Sequence, residues 1–118
     1  GTNNASSGHT PQMVADGVIK IVSTVRNKLP KTKIMLLAIF PRGDKGSEIR
    51  NINAETSRIF SQLADDKHIF YFDINNIFLD DNENIPPDIM PDKLHPSAKG
   101  YDLWGNAIIE DIYRFLDR

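Results

Sequence analysis

The feature that most constrains the fold is a seven-residue apolar run, Ile34–Phe40, which contains no polar residue. A strand buried on both faces of a parallel sheet has such a continuous run, whereas a strand with one solvated face alternates apolar and polar residues. A second run covers residues 69–72 and ends at Asp73. Between the two runs, apolar residues recur at helical spacing from about Ser47. This alternation predicts a parallel sheet covered by helices.

A further helix is predicted before the first run. Thr10 is suited to cap it, and Pro11 fits its first position because the N–H that proline lacks has no helical partner there. Pro30 is expected to end the helix. Residues 1–9 are rich in turn-forming residues, and we expect them to form a loop.

The C-terminal part of the sequence predicts an irregular segment followed by a last helix. Residues 75–90 include an acidic turn and two consecutive prolines, and we expect little regular structure there. Ser97 is expected to cap the helix, with Tyr101 and Trp104 on its buried face.

Two strands offer too little surface to bury the apolar faces of three helices, because a typical sheet has about five strands. We therefore expect the remaining strands to come from an N-terminal segment that is absent from this chain. At 118 residues the chain has room for one domain at most.

Composition excludes several classes of function. Acidic and basic residues are mixed along the chain, with a formal net charge of −2 and no basic stripe, so we expect no nucleic-acid partner. The longest apolar run is too short to span a bilayer. The absence of cysteine excludes disulfides, thiolate catalysis and cysteine-ligated metals.

Two Asp-x-x-His sequences could carry chemistry, Asp65 with His68 and Asp92 with His95. At this spacing the carboxylate can accept from one ring N–H of the histidine, which leaves the other nitrogen free to act as a base. His68 precedes a strand and is expected at the amino edge of the sheet, as a surface residue. His95 follows the last strand, so it is expected at the carboxyl edge, where open α/β sheets bind ligands.

Three stretches resemble one known family. Gly1-Thr2-Asn3-Asn4 resembles the third sequence block of the SGNH, or GDSL-type, hydrolases, and Asp92-Lys93-Leu94-His95 resembles their fifth block, Asp-x-x-His. Residues 37–43, with Arg50 and Asn53 downstream, resemble in particular the catalytic subunits of brain-type platelet-activating-factor acetylhydrolases and their bacterial relatives. The resemblance covers the whole chain but only about the latter half of the family's domain.

The resemblance implies a three-layer, flavodoxin-like α/β fold with a parallel sheet and helices on both faces. Residues 1–118 would be the C-terminal portion of a single SGNH hydrolase domain. By the same resemblance, His95 is the catalytic base, Asp92 orients it, and the Asn3 amide donates to the oxyanion. It implies no metal and no organic cofactor.

The substrate implied by the resemblance is a small acyl ester, such as an acetyl ester, of a lipid or a sugar. A homo-oligomer is left open. The residues that could contact the substrate are Asn4, His9 and Arg42. For Arg42 and Arg50 an ion pair with an acidic residue is the alternative that we favour.

The family's first block, Gly-Asp-Ser, which holds the nucleophile, has no match in the chain, and neither does its second block. The Ser-His-Asp mechanism therefore requires a serine upstream of this chain, and we expect the segment alone to be inactive. Ser6 and Ser7 lie beside Asn3 but are expected to be turn or cap residues. Two alternatives stay open: a non-catalytic binding or assembly module on the same fold, and a hydrolase in which Asp92 and His95 activate water.

Overall fold

The structure, a computed structural model, describes residues 1–116. Helices and strands alternate along the described residues after a short first helix, and a 3₁₀ turn precedes the last helix. In chain order the elements are α1 (Thr2–Ser6), α2 (Pro11–Lys28), β1 (Ile34–Leu37), α3 (Glu48–Ser61), β2 (Ile69–Phe72), the 3₁₀ turn (Asn75–Phe78) and α4 (Ala98–Leu116). None of the helices within this range is long and apolar enough to cross a membrane.

The two strands pair in parallel, with Ile34 opposite Ile69. Successive side chains of β2 point to opposite faces of the sheet. Tyr71 packs edge-on against Phe60 of α3 at a ring-centroid distance of 6.1 Å, whereas Phe70 packs against Phe115 of α4 at 4.9 Å. These contacts place α3 on one face of the sheet and α4 on the other, and α2 packs against α3. The predicted three-layer α/β architecture is confirmed.

Local capping signals in the sequence are confirmed. The Thr10 hydroxyl accepts from the N–H of Met13 at 3.2 Å and caps α2, which ends just before Pro30. Ser47 caps α3 by accepting from the N–H of Arg50, and Ser97 accepts from the N–H of Gly100 in the first turn of α4. These bonds satisfy N–H groups that have no partner inside a helix.

The prediction of a loop over residues 1–9 is wrong in part, because α1 occupies Thr2–Ser6. A helix of five residues is too short to be stable by itself. Tertiary contacts support it: Ala5 is buried, and the Thr2 hydroxyl accepts from the Asn53 side chain of α3 at 3.1 Å. These contacts are remote in sequence, which explains why the turn-forming residues alone indicated a loop.

The first strand is shorter than its apolar run, since β1 ends at Leu37 and the last backbone bond to β2 is donated by the N–H of Ala38 to the carbonyl of Phe72, at 3.0 Å. Beyond Ala38, side chains replace β2 as the hydrogen-bond partners of the backbone. The N–H of Ile39 donates to the Ser57 hydroxyl at 2.9 Å, and its carbonyl accepts from the Asn75 amide at 2.8 Å. All four β1 residues are only half-buried, against the prediction of full burial, because β1 pairs with a described strand on one edge only.

A small core lies between the 3₁₀ turn and α4. It consists of four buried residues: Phe78, Ile85, Ile89 and Met90. Trp104 packs against this cluster, as predicted, but Tyr101 is 54% exposed and was wrongly predicted to be buried. The helix approaches the core so closely that a Cβ on Gly100 would lie 2.6 Å from the carbonyl oxygen of Ile89.

Candidate active site

The strongest candidate for chemistry is the turn that contains Asp92 and His95, between the small core and α4. Oδ1 of Asp92 accepts from the backbone N–H groups of Leu94, at 2.9 Å, and of His95, at 2.7 Å. This is the local turn geometry that aspartate favours. Oδ2 of Asp92 lies 2.6 Å from Nδ1 of His95. The carboxylate therefore builds the turn with one oxygen and binds the imidazole with the other.

The hydrogen bond from the imidazole has an electrostatic consequence. Together with the backbone N–H groups of His95 and Leu94, it holds the pKa of Asp92 well below its usual value, so the carboxylate stays ionised. An ionised partner at Nδ1 fixes the tautomer in which Nδ1 carries the proton and Nε2 accepts. Nε2 has no hydrogen-bond partner within residues 1–116, and the side chain of His95 is 74% exposed.

The second Asp-x-x-His sequence folds differently. Oδ1 of Asp65 accepts from the backbone N–H groups of Lys67, His68 and Ile69, at 2.8 to 2.9 Å. These three bonds hold the pKa of Asp65 well below its usual value, with only a minor contribution from the His68 charge. Asp65 thus caps a turn that enters β2, and no hydrogen bond joins it to the imidazole of His68 in the described part of the chain.

Buried residues anchor the turn at both ends. The N–H of Lys93 donates to the carbonyl of Met90 at 3.0 Å, and the N–H of Ser97 donates to the carbonyl of Ile89 at 2.8 Å. Lys93 itself has a φ of 57°, a left-handed conformation that a non-glycine residue seldom adopts. The surrounding contacts thus impose a defined backbone shape on the Asp92–His95 turn.

Asn3 lies on the exposed side of α1. Its backbone carbonyl accepts from the hydroxyls of Ser6 and Ser7, both at 2.9 Å, so these serines are local turn residues as predicted. The Asn3 amide has no hydrogen-bond partner among the residues that the structure describes, which leaves its two N–H bonds available to a ligand.

Contacts of the loop after β1 bring α1 and the Asp92–His95 turn to the same edge of the sheet. Arg42 donates through Nη1 to the backbone carbonyl and the hydroxyl of Thr2, at 3.3 and 3.4 Å. The N–H of the next residue, Gly43, donates to the carbonyl of Lys93 at 3.0 Å. Thr2 precedes Asn3, and Lys93 lies between Asp92 and His95, so two adjacent loop residues contact both parts of the candidate site.

The best-formed cavity lies beside this edge and does not contain the Asp–His pair. It has a volume of about 490 Å³ and is lined by Arg42, His9, Glu48 and apolar side chains of α1 and α3. Its size is in the range of small-molecule sites. Asn4 instead lines a smaller cavity of about 250 Å³ against α2. Of the three residues predicted to contact a substrate, His9 and Arg42 therefore share one cavity, and Asn4 faces another.

The ion pairs expected for Arg42 and Arg50 are not formed within residues 1–116. Arg42 donates to Thr2, and Arg50 donates through its two terminal nitrogens to the backbone carbonyls of Gly43 and Glu83. The nearby carboxylates form ion pairs with lysines instead: Glu83 pairs with Lys45, and Asp44 pairs with Lys93. Spacing in the sequence cannot distinguish a carboxylate partner from a backbone carbonyl.

Asn53 was not predicted from the sequence to be a residue of the candidate site. It is 1% exposed, and its amide donates to the Thr2 hydroxyl and, at 3.4 Å, to the carbonyl of Phe40. Its position on the apolar face of α3, next to Ile52, was the signal, since a polar residue there must find a buried partner.

Among residues 1–116, no three acidic or histidine side chains converge in a way that could hold a metal ion.

Comparison with known proteins identifies the class to which this fold and site belong. The model of the GDSL-like Lipase/Acylhydrolase family matches residues 1–103. The chain therefore belongs to this family of hydrolases. The family expected from the sequence is thereby confirmed.

Individual relatives agree with this assignment. The chain is 30% identical over 117 residues to human platelet-activating factor acetylhydrolase IB subunit alpha1, covering 98% of this chain and 50% of that protein. It is 31% identical over 118 residues to the alpha2 subunit of Rattus norvegicus, covering 99% and 51%. The chain thus spans about half the length of these curated relatives.

A solved structure shares the fold. The protein, from Streptococcus pneumonia and named for platelet activating factor, superposes with a TM-score of 0.83 at 20% identity, covering 96% of this chain and 56% of that one. At this identity the likeness concerns the fold alone.

Proposed function

We propose that residues 1–118 are the C-terminal portion of a single hydrolase domain that cleaves small acyl esters by a Ser-His-Asp mechanism. In this proposal the chain supplies the base, the orienting acid and one oxyanion donor, and the serine lies upstream of Gly1. The observation that carries the proposal is the 2.6 Å contact between Asp92 Oδ2 and His95 Nδ1. Membership of the acylhydrolase family supports the reaction class.

His95 acts as the base because its two nitrogens have different surroundings. Nδ1 donates to the ionised carboxylate of Asp92, and Nε2 is directed away from that partner with no hydrogen bond to the described residues. Nε2 accepts the proton of the serine hydroxyl as its oxygen attacks the ester carbonyl carbon. The imidazolium then returns this proton to the departing alcohol, and a water molecule repeats the sequence to release the acid.

Asn3 acts on the oxyanion of the tetrahedral intermediate. Its amide is exposed and free of partners within residues 1–116, while Thr2, directly before it, is held by Arg42 and Asn53. The backbone that carries this donor is therefore held in place before the charge develops. One oxyanion donor of this kind is typically worth about 3 kcal/mol of transition-state stabilisation.

Six of the seven serines of this chain form hydrogen bonds within the described residues, and the seventh, Ser23, is exposed on α2, which supports a nucleophile from outside the chain. The hydroxyls of Ser47 and Ser97 cap helices, Ser57 accepts from the Ile39 N–H, and Ser6 and Ser7 donate to Asn3. One edge of β1 is unpaired among the described residues. An additional serine-bearing segment could pair with this open edge. Its existence is also consistent with the chain covering only about half the length of its relatives.

The proposed substrate is a small acyl ester, with acetyl as the preferred acyl group and a lipid or sugar as the alcohol. The acyl preference is carried over from relatives named as acetylhydrolases. His9 and Arg42 line the 490 Å³ cavity beside the site and would contact the alcohol, and Asn4 would do so from the neighbouring cavity. No metal or organic cofactor takes part in the proposed reaction.

The test uses the protein with its upstream segment, the same protein carrying His95→Gln, and residues 1–118 alone. We expect the first to hydrolyse p-nitrophenyl acetate and to be labelled by a serine-directed fluorophosphonate, and the other two to do neither. Hydrolysis that fluorophosphonate does not inhibit would favour an activated water. Absence of both activities in the longer protein would favour a binding module, and activity of residues 1–118 alone would refute the upstream serine.

A further inference from the structure

Residues 41–46, which lie within the segment between β1 and α3, contact both parts of the proposed site; we call them the β1–α3 loop. Its Arg42 contacts Thr2, directly before the oxyanion donor, and its Gly43 donates to the carbonyl of Lys93 between the acid and the base. Asp44 of the same loop also forms an ion pair with the side chain of Lys93. The loop is therefore the link through which α1 and the Asp92–His95 turn are held relative to each other.

Arg50 holds this loop from α3. Its guanidinium donates to the carbonyl of Gly43, the residue whose N–H binds Lys93, and to the carbonyl of Glu83 in the acidic turn. Both polar groups of the Gly43 backbone are thus used. The carbonyl accepts from Arg50, and the N–H donates to the carbonyl of Lys93 in the Asp92–His95 turn.

Gly43 could not be replaced by a larger residue without moving the loop. Its φ is 70°, and a Cβ would lie 3.0 Å from both the Ile49 side chain and the Ser47 hydroxyl. Only glycine adopts this conformation at no steric cost. The backbone at this point is therefore confined by the start of α3, through the side chains of Ser47 and Ile49 and the hydrogen bond from Arg50.

We propose that Arg50 is a positioning residue that fixes the β1–α3 loop and, through it, the separation of Asn3 from His95. The inference rests on the proposed function for its catalytic consequence. Arg50 itself is one contact removed from the Asp92–His95 turn, so it acts through Gly43 and Lys93.

The planar guanidinium is needed because the two carbonyls come from different segments. The two terminal nitrogens of the guanidinium are fixed relative to each other and bind both carbonyls at once. The ammonium of lysine is a point charge on a flexible chain and has no such fixed pair of donors. The Nε of Arg50 is buried without a partner in the described part of the chain. A polar group left in this state costs free energy, so the arrangement is poorly explained by stability alone.

The test compares Arg50→Lys with Arg58→Lys in the protein that carries the serine. Arg58 lies on the same helix and forms an exposed pair with Glu55, so its replacement is a matched control. A misplacement of about 1 Å can cost about 10²-fold in rate. We expect Arg50→Lys to lower kcat by about 10- to 100-fold with KM changed less than about twofold, and Arg58→Lys to change neither.

A distance measurement separates this inference from the proposed function. Residues 1–118 have no cysteine, so spin labels can be placed at Asn4→Cys on α1 and Pro91→Cys before the turn, in a serine-bearing protein from whose upstream segment all cysteines are removed. We expect a broader distance distribution with Arg50→Lys than with Arg58→Lys. An unchanged distribution, or a lower Tm without a fall in kcat, would overturn the inference. Lack of hydrolysis by the wild type would refute the proposed function, while the distances still decide whether Arg50 fixes the two segments.

Discussion

Replacing Asp92 by asparagine isolates the contribution of one oxygen atom. The carbonyl oxygen of asparagine can still accept from the N–H groups of Leu94 and His95, so the turn is retained. At the position of Oδ2, 2.6 Å from Nδ1 of His95, an NH₂ group would replace the acceptor. Two donors cannot face each other, so the imidazole changes tautomer and Nε2 carries the proton.

The expected loss follows from this change of tautomer. A base whose reactive nitrogen is already protonated cannot accept from serine, and the corresponding substitution in a Ser-His-Asp triad lowers kcat by about 10⁴-fold. We therefore expect Asp92→Asn to lower kcat by about 10³- to 10⁴-fold. The pair is exposed, so the thermal midpoint should stay close to that of the wild type.

The sequence provides its own control in Asp65→Asn. This residue has the same spacing to a histidine but binds backbone N–H groups instead of the ring. In an assay of p-nitrophenyl acetate hydrolysis by the serine-bearing protein, it should leave kcat within about twofold of the wild type, since it touches no reacting group. Equal losses in the two variants, or full activity of Asp92→Asn, would refute the reasoning.

Three further predictions concern the oxyanion donor, pH and the core. Asn3→Ala should lower kcat by about 10²- to 10³-fold in the same assay, and an unchanged kcat would exclude the oxyanion role. The pKa of Asp65 is depressed in the folded state, so its contribution to stability is present above the unfolded value near about 3.9 and is lost as the pH falls below it. In urea titrations between about pH 5 and pH 2 the wild type should lose stability more steeply than Asp65→Asn, whereas Asp81→Asn, at an exposed turn residue, should follow the wild type. Phe78→Ala should lower the free energy of unfolding by about 3 to 5 kcal/mol, because the ring is fully buried, and a loss below about 1 kcal/mol would contradict the described core.

Features that depend on neighbours in sequence could be predicted. The caps at Thr10 and Ser97 could be predicted because a hydroxyl reaches an N–H about three residues away whatever the rest of the chain does. The alternation of apolar runs and amphipathic helices indicated the parallel sheet for a similar reason. The contact of Asp92 with His95 also spans only three residues, but the spacing alone was not a sufficient guide, because Asp65 and His68 share it and form no side-chain hydrogen bond in the described part of the chain. The position of His95 after the last strand distinguished the two pairs.

Features that depend on tertiary contacts were missed. The helix α1 forms where a loop was predicted because Thr2 and Ala5 are held by α3 and the loop after β1. Tyr101 follows the helical period of the buried face but lies at its exposed margin. The role of Arg50 could not be predicted either, because its partners are backbone carbonyls 7 and 33 residues away that carry no signal in the sequence.

The most direct test of the central claim is a crystal structure of the serine-bearing protein after reaction with a fluorophosphonate. We expect a phosphonylated serine with Nε2 of His95 and the amide nitrogen of Asn3 each within about 3.5 Å of the adduct's oxygen atoms. An adduct on a serine remote from His95, or Asn3 and His95 directed into separate cavities, would contradict it.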